Sequence, residues 1–283
     1  MGLQIAQPVF NFTHKKMKIH FYKYQGTGND FILVDNRSGT LELTAKQIEQ
    51  WCHRRFGIGA DGLMELRLAN GYDFEMVYYN ADGLPGSMCG NGGRCITRFA
   101  ADMGMQKKQF SFLAPDGPHE SSIEENGHIK LKMNDVATID HYNSYDFLNT
   151  GSPHVVKMVT DLRHYDVVTE GREIRNNIYY KNEGTNVNFV ETLDEDEIFV
   201  RTYERGVEDE TYSCGTGVTA AALVNAHNDT GFNRVEIMTL GGHLSVEFDK
   251  TNHHGFNNIW LCGPAIRVFE GDIEAFPESV DTP

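Results

Sequence analysis

Long apolar runs are missing from this 283-residue chain, and no stretch approaches the roughly 20 residues that a membrane-crossing helix requires. A helical membrane span is therefore excluded. Positive charge is scarce: 25 Lys and Arg stand against 40 Asp and Glu, a formal charge of -15, so the surface repels nucleic-acid phosphates and anionic lipid heads. No nucleic-acid or membrane partner is expected, and a small molecule is the better ligand class. Residues 1–16 lack the cationic start and apolar run of a secretory signal and read as a loose extension before the first strand-like run at Met17. The five cysteines, Cys52, Cys89, Cys95, Cys214 and Cys262, are an odd, scattered set without a CxxC. That pattern argues against a disulfide framework and against zinc, and it points to free thiols in a reducing, cytoplasmic setting. No metal ligand set is assigned.

What remains is ample for a core: 40% of residues are hydrophobic and 11% aromatic, on a length that suits two ordinary domains. Strand-like runs dominate, at 18–24, 31–34, 74–79, 128–133, 187–190, 198–203, 244–248 and 265–269. Helical stretches are few. One over 44–55 opens on Thr44 as a candidate N-cap, and two others follow Cys89 and Cys214. The second of these is small and apolar nearly all round over 218–226, so it should be enclosed rather than laid on a surface.

The chain also repeats itself once. Gln25-Gly26-Thr27-Gly28-Asn29-Asp30 precedes one apolar strand, and Asn149-Thr150-Gly151-Ser152-Pro153-His154 precedes another. Further on, 74–80 leads to Cys89-Gly90-Asn91-Gly92, as 198–204 leads to Cys214-Gly215-Thr216-Gly217; Gly28 to Cys89 spans 61 residues and Gly151 to Cys214 spans 63. An ordered pair of echoes at matched separation implies two related halves joined near 133–140, with the last strand returning to the first half.

Each Cys-Gly-x-Gly turn enters a helix, where a sulfur lies beside unpaired amides at the positive end of the helix dipole. Such a site is expected to lower a thiol pKa, and its glycines let backbone amides approach a carboxylate. Two copies related by a pseudo-twofold axis would put one sulfur on either face of a bound carbon. One thiolate could take an α-proton while the opposing thiol delivers another, inverting the stereocentre without a cofactor. A single cysteine is more often a small core residue, the reading adopted for Cys52, Cys95 and Cys262. Neither glycine turn carries the Lys-Ser/Thr of a nucleotide loop.

At these residues the chain resembles the diaminopimelate epimerase family. The resemblance runs from Met17 to about Ile273 through Gly26-Thr27-Gly28-Asn29-Asp30-Phe31, Gly57-Ile58-Gly59-Ala60-Asp61-Gly62, Asn80-Ala81-Asp82-Gly83, Met88-Cys89-Gly90-Asn91-Gly92-Gly93-Arg94-Cys95, Gly184-Thr185-Asn186-Val187-Asn188-Phe189, Glu204-Arg205-Gly206 and Cys214-Gly215-Thr216-Gly217. It implies an α+β fold of two pseudo-symmetric domains, each a mixed, barrel-like sheet around a central helix, with the site in the cleft between them. The domains would be 17–134 plus 264–277 and 135–263. It further implies a cofactor-independent epimerase of LL- and meso-diaminopimelate, serving lysine and peptidoglycan precursor synthesis, in a homodimer. Cys89 and Cys214 would be the acid/base pair, with His154 near Cys89 and Glu204 near Cys214. The amides of Gly90, Asn91, Gly215 and Thr216 would hold the reacting carboxylate, and Asn29, Asn80, Asn186 and Arg205 would bind substrate, the last three mainly at its distal end.

Three departures stand out: Ser152 where many members have Asn, Gly62 where some have Gln, and a turn from Glu204 to Cys214 one residue longer, through Glu208-Asp209. Proline racemase and hydroxyproline epimerase share the two-thiol mechanism but resemble Cys-Gly-His-Gly at the first turn. A thiol/disulfide redox protein and a non-catalytic amino-acid binder are rivals of other classes.

Overall fold

A computed structural model describes residues 17–251 and 255–275. The expected extension at 1–16 and residues 276–277 of the expected first domain lie outside them.

The chain opens on a hairpin of β1 (Met17–Gly26) and β2 (Asn29–Asp35). Its two-residue turn needs both central residues at positive φ, and Thr27 and Gly28 sit at 49° and 86°. Helix α1 (Ala45–Cys52) follows, held by a capping box in which the Thr44 side chain accepts from the Gln47 N–H. Strand β3 (Gly62–Arg67) lies parallel to β2, and β4 (Phe74–Asn80) lies antiparallel to β3. Then come α2 (Gly90–Asp102) and the meander β5 (Gln109–Ala114), β6 (Gly117–Ile123) and β7 (Ile129–Lys132).

The second half repeats this plan. After β8 (Asp140–His141), β9 (Asp146–Asn149) and β10 (Pro153–Met158) form a hairpin, α3 (Val167–Arg175) follows, β11 (Asn186–Asp194) runs parallel to β10, and β12 (Glu197–Glu204) runs antiparallel to β11. A short β13 (Asp209–Thr211) precedes α4 (Gly215–Val224), and the meander is β14 (Gly231–Thr239), β15 (Gly242–Lys250) and β16 (Phe256–Gly263). Strand β17 (Ile266–Ala275) then returns to pair with β1, as the repeat suggests. The two meanders meet where β16 pairs antiparallel with β7, so one sheet of 17 strands runs through both halves.

Each half wraps its sheet around the helix that follows its Cys-Gly turn. Phe31, Leu33, Met64, Met76 and Phe112 close on α2, while Val156, Val190, Ile198, Val200, Ile237 and Val246 close on α4. The small apolar helix is enclosed, as its composition requires: eight of its residues are buried, from Gly215 and Gly217 to Leu223. The other faces of the opening strands are covered by α1 and α3, so β2 is apolar on both sides: Ile32 and Val34 join Ile48 and Trp51.

The strand reading does not include β3, β5, β6, β8, β9, β13, β14 or β16, and the helix reading misses α3. That helix has a Gly in its middle because a Cβ at Gly171 would lie 2.4 Å from Tyr203 Cβ. The close approach of α3 to β12 outweighs the poor helix propensity of glycine.

Candidate active site

Cys89 and Cys214 are the N-cap residues of α2 and α4, both in extended backbone conformation. Their carbonyls accept the first helical bonds, from Gly93 at 2.7 Å and Val218 at 2.9 Å. The remaining first-turn amides have no acceptor within the helix and surround the sulfurs. Those of Gly92 and Asn91 favour a Cys89 thiolate, and that of Gly217 favours a Cys214 thiolate. The thiols nevertheless titrate above their ordinary value, contrary to the expectation from the dipole. Burial is the largest cause in each case, and the Glu204 carboxylate adds to it. Desolvating a buried sulfur outweighs what a few amides return.

The two helices meet end to end. A Cβ built on Gly215 would lie 3.1 Å from the Gly90 Cα, and one built on either glycine would press on Leu261 Cδ2, at 3.0 Å from Gly90 and 3.1 Å from Gly215. Across this junction Asn91 Nδ2 donates to the carbonyl of Ser213 at 2.9 Å. The hairpin turn of the first half packs on the second half at the same level, with Gly28 against the Tyr212 side chain. Negative charge on Cys89 accordingly raises the pKa of Cys214.

On the first side, Asn29 Oδ1 accepts from Cys89 Sγ at 3.4 Å and from Asn91 Nδ2 at 3.5 Å, while its amide donates to Asp61 at 2.6 Å. Asn80 ends β4 opposite Gly62 and is exposed. On the second side, Glu204 ends β12 at the equivalent position, accepting from Thr211 Oγ1 at 2.8 Å, and burial raises its carboxyl pKa. Thr216 Oγ1 lies 3.5 Å from Cys214 Sγ. No hydrogen bond joins Glu204 to that sulfur among the described residues; the two interact through charge.

His154 is fully buried on β10. Its Nδ1 accepts from Asn188 Nδ2 at 3.1 Å, and the same amide donates to the Val155 carbonyl at 3.0 Å, which assigns the ring proton to Nε2. That Nε2 is buried without a hydrogen-bond partner among the described residues. Burial, then the nearby Arg205 charge, push the ring pKa down to about 3, so the ring is neutral. Its hydrogen-bonded neighbour is thus Asn188, and no bond to Cys89 is made.

Of the three expected distal residues, Asn186 and Arg205 come together, and no hydrogen bond joins Asn80 to either among the described residues. The Arg205 amide donates to Asn186 Oδ1 at 2.9 Å, and Ser152 Oγ accepts from Asn186 Nδ2 at 3.0 Å and from Arg205 at 3.2 Å. Ser152 therefore joins the pair directly despite its short side chain. The longer turn into Cys214 forms a hairpin in which β13 pairs with β12 and Glu208 adopts a left-handed conformation, φ 58°. Its carboxylate is 3.3 Å from Arg175 Nε.

Several site residues escape a reading of the sequence. Thr27, Arg94 and Ser213 act as struts beneath the two turns, and only the packing of the halves reveals them. Tyr78 fills the space beside Gly62, where a Cβ would lie 2.6 Å from its ring. A side chain at position 62 has no room here. Cys52, Cys95 and Cys262 are buried thiols, each pushed up to about 12 by burial.

The family model described as diaminopimelate epimerase matches residues 21–139 and 147–268. The diaminopimelate epimerase of Flavobacterium psychrophilum is 49% identical over 257 residues, covering 89% of this chain and 99% of the relative. That of Chlorobaculum tepidum is 42% identical, covering 88% and 98%. Among solved structures, a Bacillus anthracis phenazine biosynthesis protein of the PhzF family matches with a TM-score of 0.68 at 16% identity, over 91% of this chain and 99% of that one. A hydroxyproline epimerase from Agrobacterium vitis matches at 0.64 and 12% identity, over 94% and 95%. These structural likenesses establish the two-domain fold with its mixed sheet and few helices. The sequence relatives go further, and by them this chain belongs to the diaminopimelate epimerase family.

Proposed function

We propose that the protein interconverts LL- and meso-diaminopimelate without a cofactor, by proton transfer between two opposed cysteines. The observation that carries this reading is the end-to-end meeting of two cysteine-capped helices, one from each half. Substrate would sit with its reacting carboxylate on the first-turn amides of Gly90, Asn91, Gly215 and Thr216, where two helix N-termini offset the charge that builds as the α-proton leaves. One sulfur, as thiolate, takes that proton and becomes a thiol. The other, as thiol, gives its proton to the opposite face and becomes a thiolate, ready for the reverse reaction.

Asn29 steadies the Cys89 side, and His154 and Glu204 shape the polarity around the two sulfurs. At the distal end Arg205 and Asn186, joined through Ser152, offer charge-assisted hydrogen bonds to a second carboxylate, and Asn80, exposed at the end of β4, would add a further contact. A distal cation favours a substrate longer than proline, which distinguishes this reading from proline racemase or hydroxyproline epimerase on the same fold. We further propose a cytoplasmic enzyme of lysine biosynthesis, consistent with five free thiols. A homodimer through β17 fits its single strand neighbour among the described residues and its exposed Ile266, Val268 and Phe269.

Purified protein incubated with LL-diaminopimelate under reducing conditions should form the meso isomer with no added cofactor. Absence of conversion by freshly reduced, folded protein would overturn the assignment.

A further inference from the structure

Arg94 is the largest fully buried side chain of the described residues, and it lies one turn into α2 from Cys89. Its hydrogen bonds go to neutral acceptors: Asn91 Oδ1 at 3.0 Å, Thr27 Oγ1 at 3.1 Å, and the carbonyls of Gly90 and Pro264, both at 3.4 Å. No carboxylate pairs with it among the described residues. A buried cation without a counter-ion is costly, and a neutral donor could tie the same three segments together without that cost. The charge itself therefore requires a reason.

The other half supplies a comparison. Counting from the cysteine, the position of Arg94 is occupied there by Thr219, whose hydroxyl donates to the Gly215 carbonyl at 2.9 Å. The second half instead contributes an acid, Glu204. A cation tied to Gly90 and Asn91 thus bears on Cys89, and a carboxylate stands at the end of β12 in the half that holds Cys214. Among the described residues, the ionisable groups bearing on Arg94 are Cys95, Cys89 and Cys262. Of these, Cys95 and Cys262 are buried, and Cys89 alone is partly exposed, with the Gly92 and Asn91 amides bonded to it.

We propose that Arg94 is a positioning residue that serves as the buried counter-ion of Cys89, making Cys89 the thiolate and Cys214 the thiol of the resting protein. Glu204 opposes ionisation of both sulfurs, but at Cys89 the Gly92 amide outweighs it and the guanidinium adds to that amide, whereas at Cys214 Glu204 is the largest cause after burial. The groups acting on Cys89 include Glu204 and Arg94; its own charge in turn bears on Tyr78, Cys95 and Cys214. Arg94 also holds Asn91 Oδ1, which leaves the Asn91 amide to bridge to Ser213. The same side chain thereby sets both charge and alignment.

The inference deepens the opposed-cysteine reading, and its test needs no turnover of diaminopimelate. Iodoacetamide alkylation of the full-length protein is followed from pH 6 to 10 and assigned to each cysteine by peptide mass spectrometry. In the unmodified protein the midpoint for Cys89 should lie about one unit or more below that for Cys214. In Arg94→Met it should rise by about one unit, an approximately tenfold slower alkylation of Cys89 at neutral pH. Cys214 should not follow, and Arg94→Lys, which keeps the charge, should retain most of the difference. Coincident or reversed midpoints in the unmodified protein would overturn the proposal even if Arg94→Met failed to fold. So would a folded Arg94→Met with its Cys89 midpoint unchanged. Failure to convert diaminopimelate, with the midpoints in the expected order, would remove the substrate assignment and leave this inference standing.

Discussion

Gly90 and Gly215 stand back to back where the two helices meet, so close that a Cβ on Gly215 would reach within 3.1 Å of the Gly90 Cα. This contact sets the separation of the two helix ends and, with it, of the cysteines that cap them. Gly215→Ala should push the helices apart by a few tenths of an ångström. Displacement of a reacting group can cost on the order of 10²-fold in rate. Turnover is expected to fall far more than melting temperature; a variant with unchanged kcat would show that the junction does not set the reacting geometry.

Either cysteine alone should be insufficient. Cys89→Ala and Cys214→Ala each remove the acid/base of one face, with an expected loss of about 10²–10⁴-fold or more in epimerisation. Full retention in either variant would contradict the opposed-thiol account.

Glu204 raises the pKa of both thiols, so the sign of its removal is fixed. In Glu204→Gln the alkylation midpoints of Cys89 and Cys214 should both move to lower pH, with the larger movement at Cys214. A shift to higher pH, or none, would separate Glu204 from the sulfurs.

His154 carries a pH signature of another kind. Its folded-state pKa is pushed down to about 3 from an ordinary 6.5, so the stability tied to its neutral ring is fully present above pH 6.5 and is lost as pH falls toward 3. Over that window its contribution to the slope is at most about 1.4 kcal/mol per pH unit. Denaturant titrations should find a shallower acid-side slope in His154→Gln than in the parent; equal slopes would mean that the ring titrates freely when folded.

Much of this arrangement is legible from residues close together in the chain. The Thr44-to-Gln47 cap, the apolar run of β2 and the paired Cys-Gly-x-Gly turns are local signals, and the repeat relates the turns to each other. What escapes depends on packing between segments far apart. Gly171 hides a helix because its reason lies on β12. The thiol shifts run against the dipole expectation because burial where the two halves meet cannot be read from either turn alone. Arg94 looks like an ordinary helix cation until Thr27, Gly26 and Pro264 enclose it.

Arg205 is exposed, so its loss should leave folding intact. A charged hydrogen bond is worth about 1.5–3 kcal/mol, which corresponds to a fall of roughly 10- to 150-fold in kcat/KM for diaminopimelate in Arg205→Ala. Ser152→Ala, which frees both Asn186 and Arg205 from a shared acceptor, should fall in the same direction by less. An unchanged kcat/KM in Arg205→Ala would remove it from the distal end.

The most direct test of two sulfurs flanking one carbon is solvent isotope capture at the inverted centre. Reduced protein turning over LL-diaminopimelate in heavy water should place deuterium on the α-carbon of the meso product from the earliest turnovers, because the delivering thiol carries a solvent-derived proton. Product formed with its original α-hydrogen retained, and no deuterium gained, would contradict the account.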